Sequence, residues 1–291
     1  MTAGTYLVGL IGAGISTSLS PALHEREADR QGLRYLYKLL DLDALGTGPE
    51  GVGDLVRAAR DLGYDGLNIT HPCKQLVIPH LDGLDSQAEA LGAVNTVVFR
   101  DGRATGHNTD VTGFGAAFTR GLPGVPMAHV VQLGAGGAGA AVAHAMLTLG
   151  AGRLTLVDTD ESRARSLAAS LNSIFPLERV VAGGPRDLAR ELHRCDGLVH
   201  ATPTGMSAHP GMPFAPELLH PGLWVAEVVY RPLETQLLAE ARALGCTTLD
   251  GSAMVALQAA DAFRFFTRRE PDVERMLGDV ADLVTVHGPR S

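Results

Sequence analysis

The amino-acid sequence predicts an α/β protein made of two domains. Short segments rich in β-branched and aromatic residues alternate with helical segments along almost the whole chain of 291 residues, which is typical of mostly parallel sheets. A break at Pro123 and Pro126 separates the N-terminal part from a stretch in which strand, helix and strand follow one another closely. We therefore expect one domain boundary at this break and a second near Asp250.

The N-terminal part begins with strands and helices in alternation. Its expected elements are a strand at Tyr6–Ile11, a helix after Pro21, a strand at Tyr35–Leu40, a helix around Leu55–Leu62 and a strand at Gly66–Thr70. The dipeptide Asp101-Gly102 is a strong signal for a two-residue turn, so the flanking segments Val94–Arg100 and Arg103–Asn108 are expected to pair as a hairpin. A helix over Thr109–Arg120 then ends before the two prolines.

The second part of the chain has a more regular rhythm. Its expected elements are a strand at His129–Leu133, a helix at Ala138–Leu149 that ends near Gly150, strands at Leu154–Asp158, Gly197–Ala201, Leu223–Tyr230 and Thr247–Leu249 with helices between them, and closing helices at Ser252–Arg268 and Asp272–Val286. This order predicts a parallel sheet covered by helices.

The composition excludes several classes of partner. The 24 basic and 32 acidic side chains give a formal net charge of −8, which argues against nucleic acid or an anionic membrane as a general partner. Met1–Ile11 lacks the basic region and long apolar run of a secretion signal, and Ala138–Leu149 is too short to span a bilayer. We expect a cytoplasmic protein.

The three cysteines, Cys73, Cys195 and Cys246, are widely spaced and form no CxxC motif or Cys/His cluster. The sequence therefore predicts neither a metal site nor a disulfide framework. Thiols in a reducing cytoplasm are the simplest interpretation.

A glycine-rich loop opens the helix of the second part. The segment HVVQLGAGGAG places Gly134, Gly136 and Gly139 in a G-x-G-x-x-G pattern between a buried strand and a helix. In that context the first glycine permits a tight turn, the second lets the backbone approach a pyrophosphate, and the third lets the helix lie close to the strand. The N–H groups at the helix start would hold the anion, so Gly137 and Ala138 also count as cofactor-binding residues.

Asp158 indicates which dinucleotide binds. It lies at the end of the next strand, 19 residues after Gly139, where a carboxylate accepts hydrogen bonds from both ribose hydroxyls of NAD and repels the 2′-phosphate of NADP. Asp160 would reinforce the repulsion, and Arg163 is expected to neutralise these carboxylates or to stack on the adenine. The sequence predicts NAD as the cofactor. In the alternative interpretation, Asp158 only caps the following helix.

Three polar segments come before the glycine loop, each at the end of an expected strand. In STSLSP, Ser18 and Ser20 would point the same way on an extended chain and could donate to one carboxylate. The same segment also fits a helix start with Ser20 as the N-cap and Pro21 as the first helical residue. The other two segments, GLNITHPCK and GAVNTV…GHNTD, supply a lysine, an asparagine and an aspartate. Each is ordinary alone, but together, beside a dinucleotide loop, they suit the oxidation of a polyol.

On these motifs the sequence resembles the shikimate/quinate dehydrogenase family. The matching stretches are STSLSP, GLNITHPCK, LGAVNTV, GHNTD, LGAGGAG, ATPTGM, VVYRP and DGSAMVALQAADAF. They occur in the order typical of the family and extend from about Ser18 to Phe263. The most specific feature is Lys74 in an N-I/V-T-x-P-x-K frame, followed by N-T-D at Asn108–Asp110.

The resemblance implies a domain organisation and a set of site residues. It implies an N-terminal α/β substrate domain over residues 1–122, a Rossmann domain over 123–251, and C-terminal helices over 252–291 that pack back on the first domain, with the active site in the cleft between the domains. The implied roles are a catalytic pair of Lys74 and Asp110, a carboxylate anchor of Ser18 and Ser20, hydroxyl-binding side chains of Thr70, Asn95 and Gln258, a substrate-facing Tyr230, and a nicotinamide border made of Thr202, Pro203, Thr204, Gly205 and Met206 with Val228 and Gly251 nearby.

Two departures from the family pattern bear on specificity. NADP-dependent members have a motif resembling N-R-T at the position where this chain has Asp158-Thr159-Asp160. The resemblance therefore points to the NAD-dependent quinate/shikimate branch. That branch often has threonine where this chain has Ser20, so the ring substrate is less determined than the cofactor.

These observations predict an NAD-dependent oxidoreductase that interconverts quinate or shikimate and the 3-dehydro compounds by hydride transfer. A strict biosynthetic shikimate dehydrogenase and an enzyme acting on an amino-substituted ring are the alternatives. A non-catalytic NAD or metabolite sensor is disfavoured, because Lys74 and Asp110 are both present. The expected partner is a small carboxylated cyclohexane or cyclohexene polyol. The sequence leaves the oligomeric state open, with a homodimer among the alternatives.

Overall fold

The structure, a computed structural model, describes residues 4–286, with side-chain burial described for residues 4–284. The chain divides into two compact units. The first contains the chain up to Thr112 together with Ala256–Leu283, and the second contains Gly113–Val255 and, among the described residues, Val284–Val286. Among the described residues, no helix is both long and apolar enough to cross a bilayer.

The first unit is built on a mixed sheet. Its elements are β1 (Thr5–Gly12), α1 (Ser20–Arg30), β2 (Arg34–Asp41), α2 (Leu42–Leu45), α3 (Val52–Asp61), β3 (Gly66–Ile69), β4 (Gly83–Leu84), α4 (Ser86–Leu91), β5 (Thr96–Arg100), β6 (Arg103–His107) and the start of α5 (Thr109–Gly121). The strand order is β2-β1-β3-β5-β6-β4, with β5 antiparallel to β3 and β6 and the other pairs parallel.

The expected hairpin is present as β5 and β6, with Arg100 opposite Arg103. Asp101 and Gly102 have φ angles of 51° and 74°, the left-handed conformation that a two-residue hairpin turn needs at both central positions. The sheet is therefore mixed, because this hairpin pairs antiparallel on the edge of β3.

The second unit is a parallel doubly wound sheet. Its elements are β7 (His129–Leu133), α6 (Gly137–Thr148), β8 (Arg153–Val157), α7 (Glu161–Ile174), β9 (Val180–Gly183), α8 (Leu188–Leu192), β10 (Gly197–His200), β11 (Trp224–Glu227), α9 (Gln236–Ala243) and β12 (Thr247–Leu249). The strand order is β12-β11-β10-β7-β8-β9, and every neighbouring pair is parallel. The order reverses between β7 and β10, and ligands of such sheets bind at the carboxyl ends of the strands at that point.

The first stretch of the first unit ends at Thr112, whereas the expected domain boundary is residue 122. The ring of Phe118 packs edge-on against Trp224, with ring centroids 5.0 Å apart, so the later turns of α5 are grouped with the second unit. The prolines that follow mark the end of a helix, whereas the change in packing comes earlier in the same helix. Ser252–Val255, the first turn of α10 (Ser252–Thr267), is likewise grouped with the second unit.

The C-terminal helices return to the first unit through α10 and α11 (Val273–Val286). The buried carboxylate of Asp279 joins α11 to α1. Arg30 donates to both Asp279 oxygens at 2.6 Å, and Arg26 donates to Oδ1 at 3.1 Å. Burial alone would raise the pKa of Asp279, but the hydrogen bonds and charges of Arg30 and Arg26 outweigh it and hold the pKa below its usual value.

We expect Asp279→Asn to lower the free energy of unfolding at pH 7 by about 1.5–3 kcal/mol, the usual size of a hydrogen bond to a charged group. Because the pKa of Asp279 is lower in the folded state, its contribution is present above pH about 4 and is lost as the pH falls through the folded value. Urea unfolding at pH 7 and at pH 3 measures both effects.

The matched control is Asp54→Asn, which removes an exposed carboxylate paired with Arg57 within α3 and is expected to cost well under about 1 kcal/mol. A difference between wild type and Asp279→Asn that stayed the same at both pH values would contradict the ionic role of Asp279.

Candidate active site

Lys74 and Asp110 form a pair that is already in contact. Lys74 Nζ donates to Asp110 Oδ2 at 2.6 Å, and the two side chains are only 16% and 10% exposed. Lys74 follows β3 in a segment anchored by the buried Cys73 and Val77, and its carbonyl accepts from Val94 N–H at 2.8 Å. The ammonium is therefore held at a fixed point instead of extending into water, where most lysines lie.

Asn95 ties the hairpin to the helix that carries Asp110. Its Oδ1 accepts from Thr109 N–H at 2.7 Å, and its Nδ2 donates to Thr109 Oγ1 at 3.0 Å. Asn108 Oδ1 accepts from the N–H of Asp110 at 3.1 Å. The first turn of α5 is thus fixed by two buried amide side chains, which sets the position of the Asp110 carboxylate.

Ser18 and Ser20 do not lie on an extended chain, so that geometric premise is wrong. Leu19 between them is helical, with φ −82° and ψ −13°, and it serves as the N-cap residue without a side-chain cap. The expectation that Ser20 caps α1 is wrong for the same reason, because the helix begins one residue earlier and Ser20 is already its first residue. Ser18 Oγ accepts from Ser20 N–H at 3.3 Å.

A buried hydrogen-bonded chain runs from Tyr37, which lies beside Ser20, to the neighbourhood of Asn95. Burial raises the pKa of the Tyr37 phenol far above its usual range, and a hydrogen bond from Ser20 offsets this only in part. Tyr37 is therefore a neutral donor, and its hydroxyl reaches Asn68 Oδ1 at 2.8 Å. Asn68 Nδ2 donates in turn to Asn95 O at 3.3 Å.

Sequence reasoning missed Tyr37 and Asn68. The signal for Asn68 is a polar residue between Leu67 and Ile69 in a short, fully buried strand, where a side-chain amide needs hydrogen-bond partners.

The other expected substrate residues have different settings. Thr70 is half-buried at the end of β3, and a Cβ on Gly12 would clash with its methyl group, so β1 approaches it closely. Gln258 is half-buried on α10 and belongs to the first unit with Ser18, Ser20, Thr70 and Asn95. Tyr230 belongs to the second unit, after β11, and burial raises the pKa of its phenol.

The glycine loop has the geometry of an anion cradle. Gly134 has a φ of 99°, and a Cβ there would clash with Ala201 O, while a Cβ on Gly139 would clash with Gly134 O. Gly136 is different, because nothing lies within 4 Å of its missing Cβ. It is the N-cap of α6 and offers no side-chain cap, so the first N–H groups of the helix, from Gly137 and Ala138, are available to an anion. These residues fit a dinucleotide pyrophosphate.

Asp158 is held directly beside this loop. Its Oδ2 accepts from Ala135 N–H at 2.8 Å, and its Oδ1 accepts from Asp160 N–H at 2.9 Å. The residue that caps α7 is Asp160, whose Oδ1 accepts from Ser162 N–H at 3.0 Å, so the interpretation of Asp158 as only a helix cap is wrong. The exposed Arg163 lies 3.4 Å from Asp160 Oδ2.

The segment Thr202–Met206 follows β10, at the point where the strand order reverses. It runs from the half-buried Thr202 and the exposed Pro203 through Thr204 and the buried Gly205, which has a φ of 93°, to Met206, which is 39% exposed.

Val228 and Gly251 adjoin each other at the neighbouring strand end. A Cβ on Gly251 would come within 2.7 Å of Val229 O and would also overlap Val228 O, and Val228 N–H donates to His200 O at 2.9 Å.

A buried network beneath this segment escaped the sequence reasoning. His200 Nδ1 lies 2.9 Å from both carboxylate oxygens of Glu227, its Nε2 lies 2.6 Å from Thr202 Oγ1, and both the His200 and Glu227 side chains are 0% exposed. Glu227 also accepts from Val229 N–H at 2.9 Å and from Thr235 Oγ1 at 3.1 Å. The network joins Thr202 to β11 and to the start of α9.

Comparison with known proteins identifies one enzyme family, whose members are named for different cofactors. The family described as shikimate dehydrogenase substrate binding domain matches residues 10–97. A shikimate dehydrogenase (NADP(+)) from Streptomyces avermitilis is 71% identical over 97% of both chains. A quinate/shikimate dehydrogenase (NAD(+)) from Corynebacterium efficiens is 50% identical over 95% of this chain and 98% of its own. The solved structure of quinate dehydrogenase from Corynebacterium glutamicum in complex with NAD superposes with a TM-score of 0.91 at 48% identity, covering 96% of this chain and 99% of the other.

Proposed function

This chain belongs to the shikimate/quinate dehydrogenase family, and we propose that it is the NAD-dependent form, interconverting shikimate or quinate with the 3-dehydro compounds. The observation that carries the reaction is the contact between Lys74 and Asp110, a proton-transfer group held by a fixed carboxylate with little exposure to water. This pair also disfavours a purely sensory role, which would need no such group.

In the proposed mechanism the protein donates or accepts one proton at the reacting oxygen. The bound nicotinamide supplies the chemistry of hydride exchange with the ring carbon. Lys74 Nζ contacts the reacting oxygen and donates its proton when the ketone is reduced, and as the neutral amine it takes the hydroxyl proton when the alcohol is oxidised. Asp110 orients Nζ through the 2.6 Å hydrogen bond.

Substrate recognition is proposed to come from the remaining polar groups. Ser18 and Ser20 bind the carboxylate, Thr70, Asn95 and Gln258 bind ring hydroxyls, and Tyr230 faces the substrate. The Tyr37–Asn68 chain supports this proposal, because it joins Tyr37, which lies beside Ser20, to the strand end that carries Asn95. The small molecule is a carboxylated cyclohexane or cyclohexene polyol.

The choice of NAD is supported by Asp158. Two backbone N–H groups hold its carboxylate beside the glycine loop, where a 2′-phosphate would meet a fixed negative charge. A second candidate is an NADP-dependent biosynthetic shikimate dehydrogenase, because the 71% identical Streptomyces protein carries that name. The two candidates differ in the ratio of kcat/KM for NAD and NADP.

Initial rates with shikimate and with quinate, at saturating NAD, test which ring acid the enzyme uses. We expect turnover of both, since Ser20 provides a hydroxyl with less bulk than threonine beside the carboxylate-bearing carbon. Ser20→Thr should then shift the ratio of the two kcat/KM values. An unchanged ratio would show that discrimination lies elsewhere, and no turnover of either acid would refute the proposed reaction.

Ser18→Ala should raise the KM for shikimate about ten- to a hundredfold, because a hydrogen bond to a charged group contributes about 1.5–3 kcal/mol. An analogue without the carboxylate should be insensitive to the change. Ser16→Ala, at an exposed position in the same turn, is the matched control and should leave KM unchanged. Equal losses for both compounds would mean that Ser18 acts only through the fold.

A further inference from the structure

Gln132 is an amide in the otherwise aliphatic interior of β7. Its side chain is completely buried, and Nε2 donates to two carbonyls, Gly134 O at 2.9 Å and Gly139 O at 2.8 Å. These are the first and last glycines of the cofactor loop. Both N–H bonds of one amide group are therefore used to hold the two ends of that loop against the strand.

The other end of the amide is left without a partner. Within the part of the chain that the structure describes, Gln132 Oε1 is buried and accepts no hydrogen bond. Rotating the amide would not help, because Oε1 would then face two carbonyl oxygens. An aliphatic side chain would fill this place without an unsatisfied acceptor, so the presence of an amide is explained by what Nε2 does to the loop.

The bond to Gly134 O also reaches Asp158. The C=O and N–H of a trans peptide point in opposite directions, so a carbonyl of Gly134 turned toward Gln132 turns the N–H of Ala135 away from it. That N–H donates to Asp158 Oδ2 at 2.8 Å. Gln132 and Asp158 thus hold opposite sides of a single peptide group, and each bond polarises the other.

We propose that Gln132 is a positioning residue for the dinucleotide site, which holds the glycine loop open for the pyrophosphate and keeps Asp158 oriented toward the ribose. It touches no ligand itself, and it acts through the peptide between Gly134 and Ala135 and through Gly139 O. The inference rests on the proposed binding of a dinucleotide at this loop.

The test replaces Gln132 with Met, which has similar length but no N–H donor. We expect the Kd for NADH, measured by fluorescence titration, to rise about tenfold, and the Kd for ADP-ribose, measured by calorimetry, to rise equally. The KM for shikimate at saturating NAD should stay within about twofold of wild type. Thr155→Val is the matched control, because Thr155 is a buried polar residue on β8 whose hydroxyl contacts His129 and Glu191 instead of the loop.

A second variant keeps the test valid if Gln132→Met does not fold. Gln132→Leu, like Gln132→Met, removes the unpartnered oxygen together with the two N–H donors, so whichever of the two variants folds should show the rise in Kd. In a double-mutant cycle with Asp158→Asn, the losses in NADH affinity should be less than multiplicative, because both residues act on one peptide group. In a cycle that combines the Gln132 variant with Thr155→Val instead, the two losses in NADH affinity should multiply.

An NADH Kd that is unchanged in both Gln132 variants, or changed equally by Thr155→Val, would overturn the inference while leaving the proposed function intact. If the wild type bound only NADPH, the choice of NAD would fail, and the same titrations with NADPH would still test Gln132.

Discussion

Lys74→Ala should lower kcat by roughly a hundredfold or more, the usual contribution of a positioned general acid–base group. The removed amino group is the proton donor of the proposed reaction when it is charged and the proton acceptor when it is neutral, and alanine leaves Asp110 without the partner it holds at 2.6 Å. Steady-state rates at saturating shikimate and NAD measure the loss. The Kd for NADH should stay within about twofold of wild type, because Lys74 belongs to the first unit and the glycine loop to the second.

The chain offers a matched control for this change. Its only other lysine is Lys38, which is exposed on β2, so Lys38→Ala removes the same charge from the same unit. We expect Lys38→Ala to retain wild-type kcat. Near-normal turnover by correctly folded Lys74→Ala protein would remove Lys74 from the mechanism.

Asp158→Asn should lower kcat/KM for NAD and raise kcat/KM for NADP at the same time. The carboxylate accepts hydrogen bonds and carries a charge, and a 2′-phosphate a few ångströms away would be repelled by about 4 kcal/mol per pair of unit charges at intermediate dielectric. The asparagine amide removes one oxygen acceptor for NAD and, at the same time, the charge that repels the 2′-phosphate of NADP. We expect the ratio of kcat/KM for NAD over NADP to fall by at least about tenfold, measured with shikimate as the fixed substrate.

Asp160→Asn provides a graded comparison. Asp160 is exposed, caps α7 and pairs with Arg163, and asparagine caps a helix about as well as aspartate. Its effect on the cofactor ratio should therefore be smaller than that of Asp158→Asn. If both variants changed the ratio equally, general surface charge would account for the preference, and the fixed position of Asp158 would not.

Much of the fold could be predicted where local signals were strong. The strand His129–Leu133 agrees to the residue, and the glycine loop opens α6 as expected, because an apolar run followed by glycines has few other solutions. The two-residue β4 and the six-residue α4 went unpredicted, since elements that short carry no periodicity. The division within α5 also escaped prediction, because it depends on packing between residues distant in sequence, such as Phe118 and Trp224.

The candidate site could be predicted mainly through the resemblance. Composition and spacing alone left Lys74 and Asp110 as ordinary polar residues, and only their long-range contact makes them a pair. The expected geometry of Ser18 and Ser20 failed because a single helical residue, Leu19, changes the direction of the chain. Gln132 and the His200–Glu227 pair were missed because each is a polar residue in a buried strand, whose role depends on partners distant in sequence.

The most direct test of NAD as the cofactor is the kcat/KM of the wild-type protein for NAD and for NADP, with shikimate at a fixed, saturating concentration. The fixed carboxylate of Asp158 predicts a preference for NAD of at least about a hundredfold, which corresponds to about 2.7 kcal/mol. Equal use of the two cofactors, or a preference for NADP, would contradict the assignment of Asp158 as the cofactor selector.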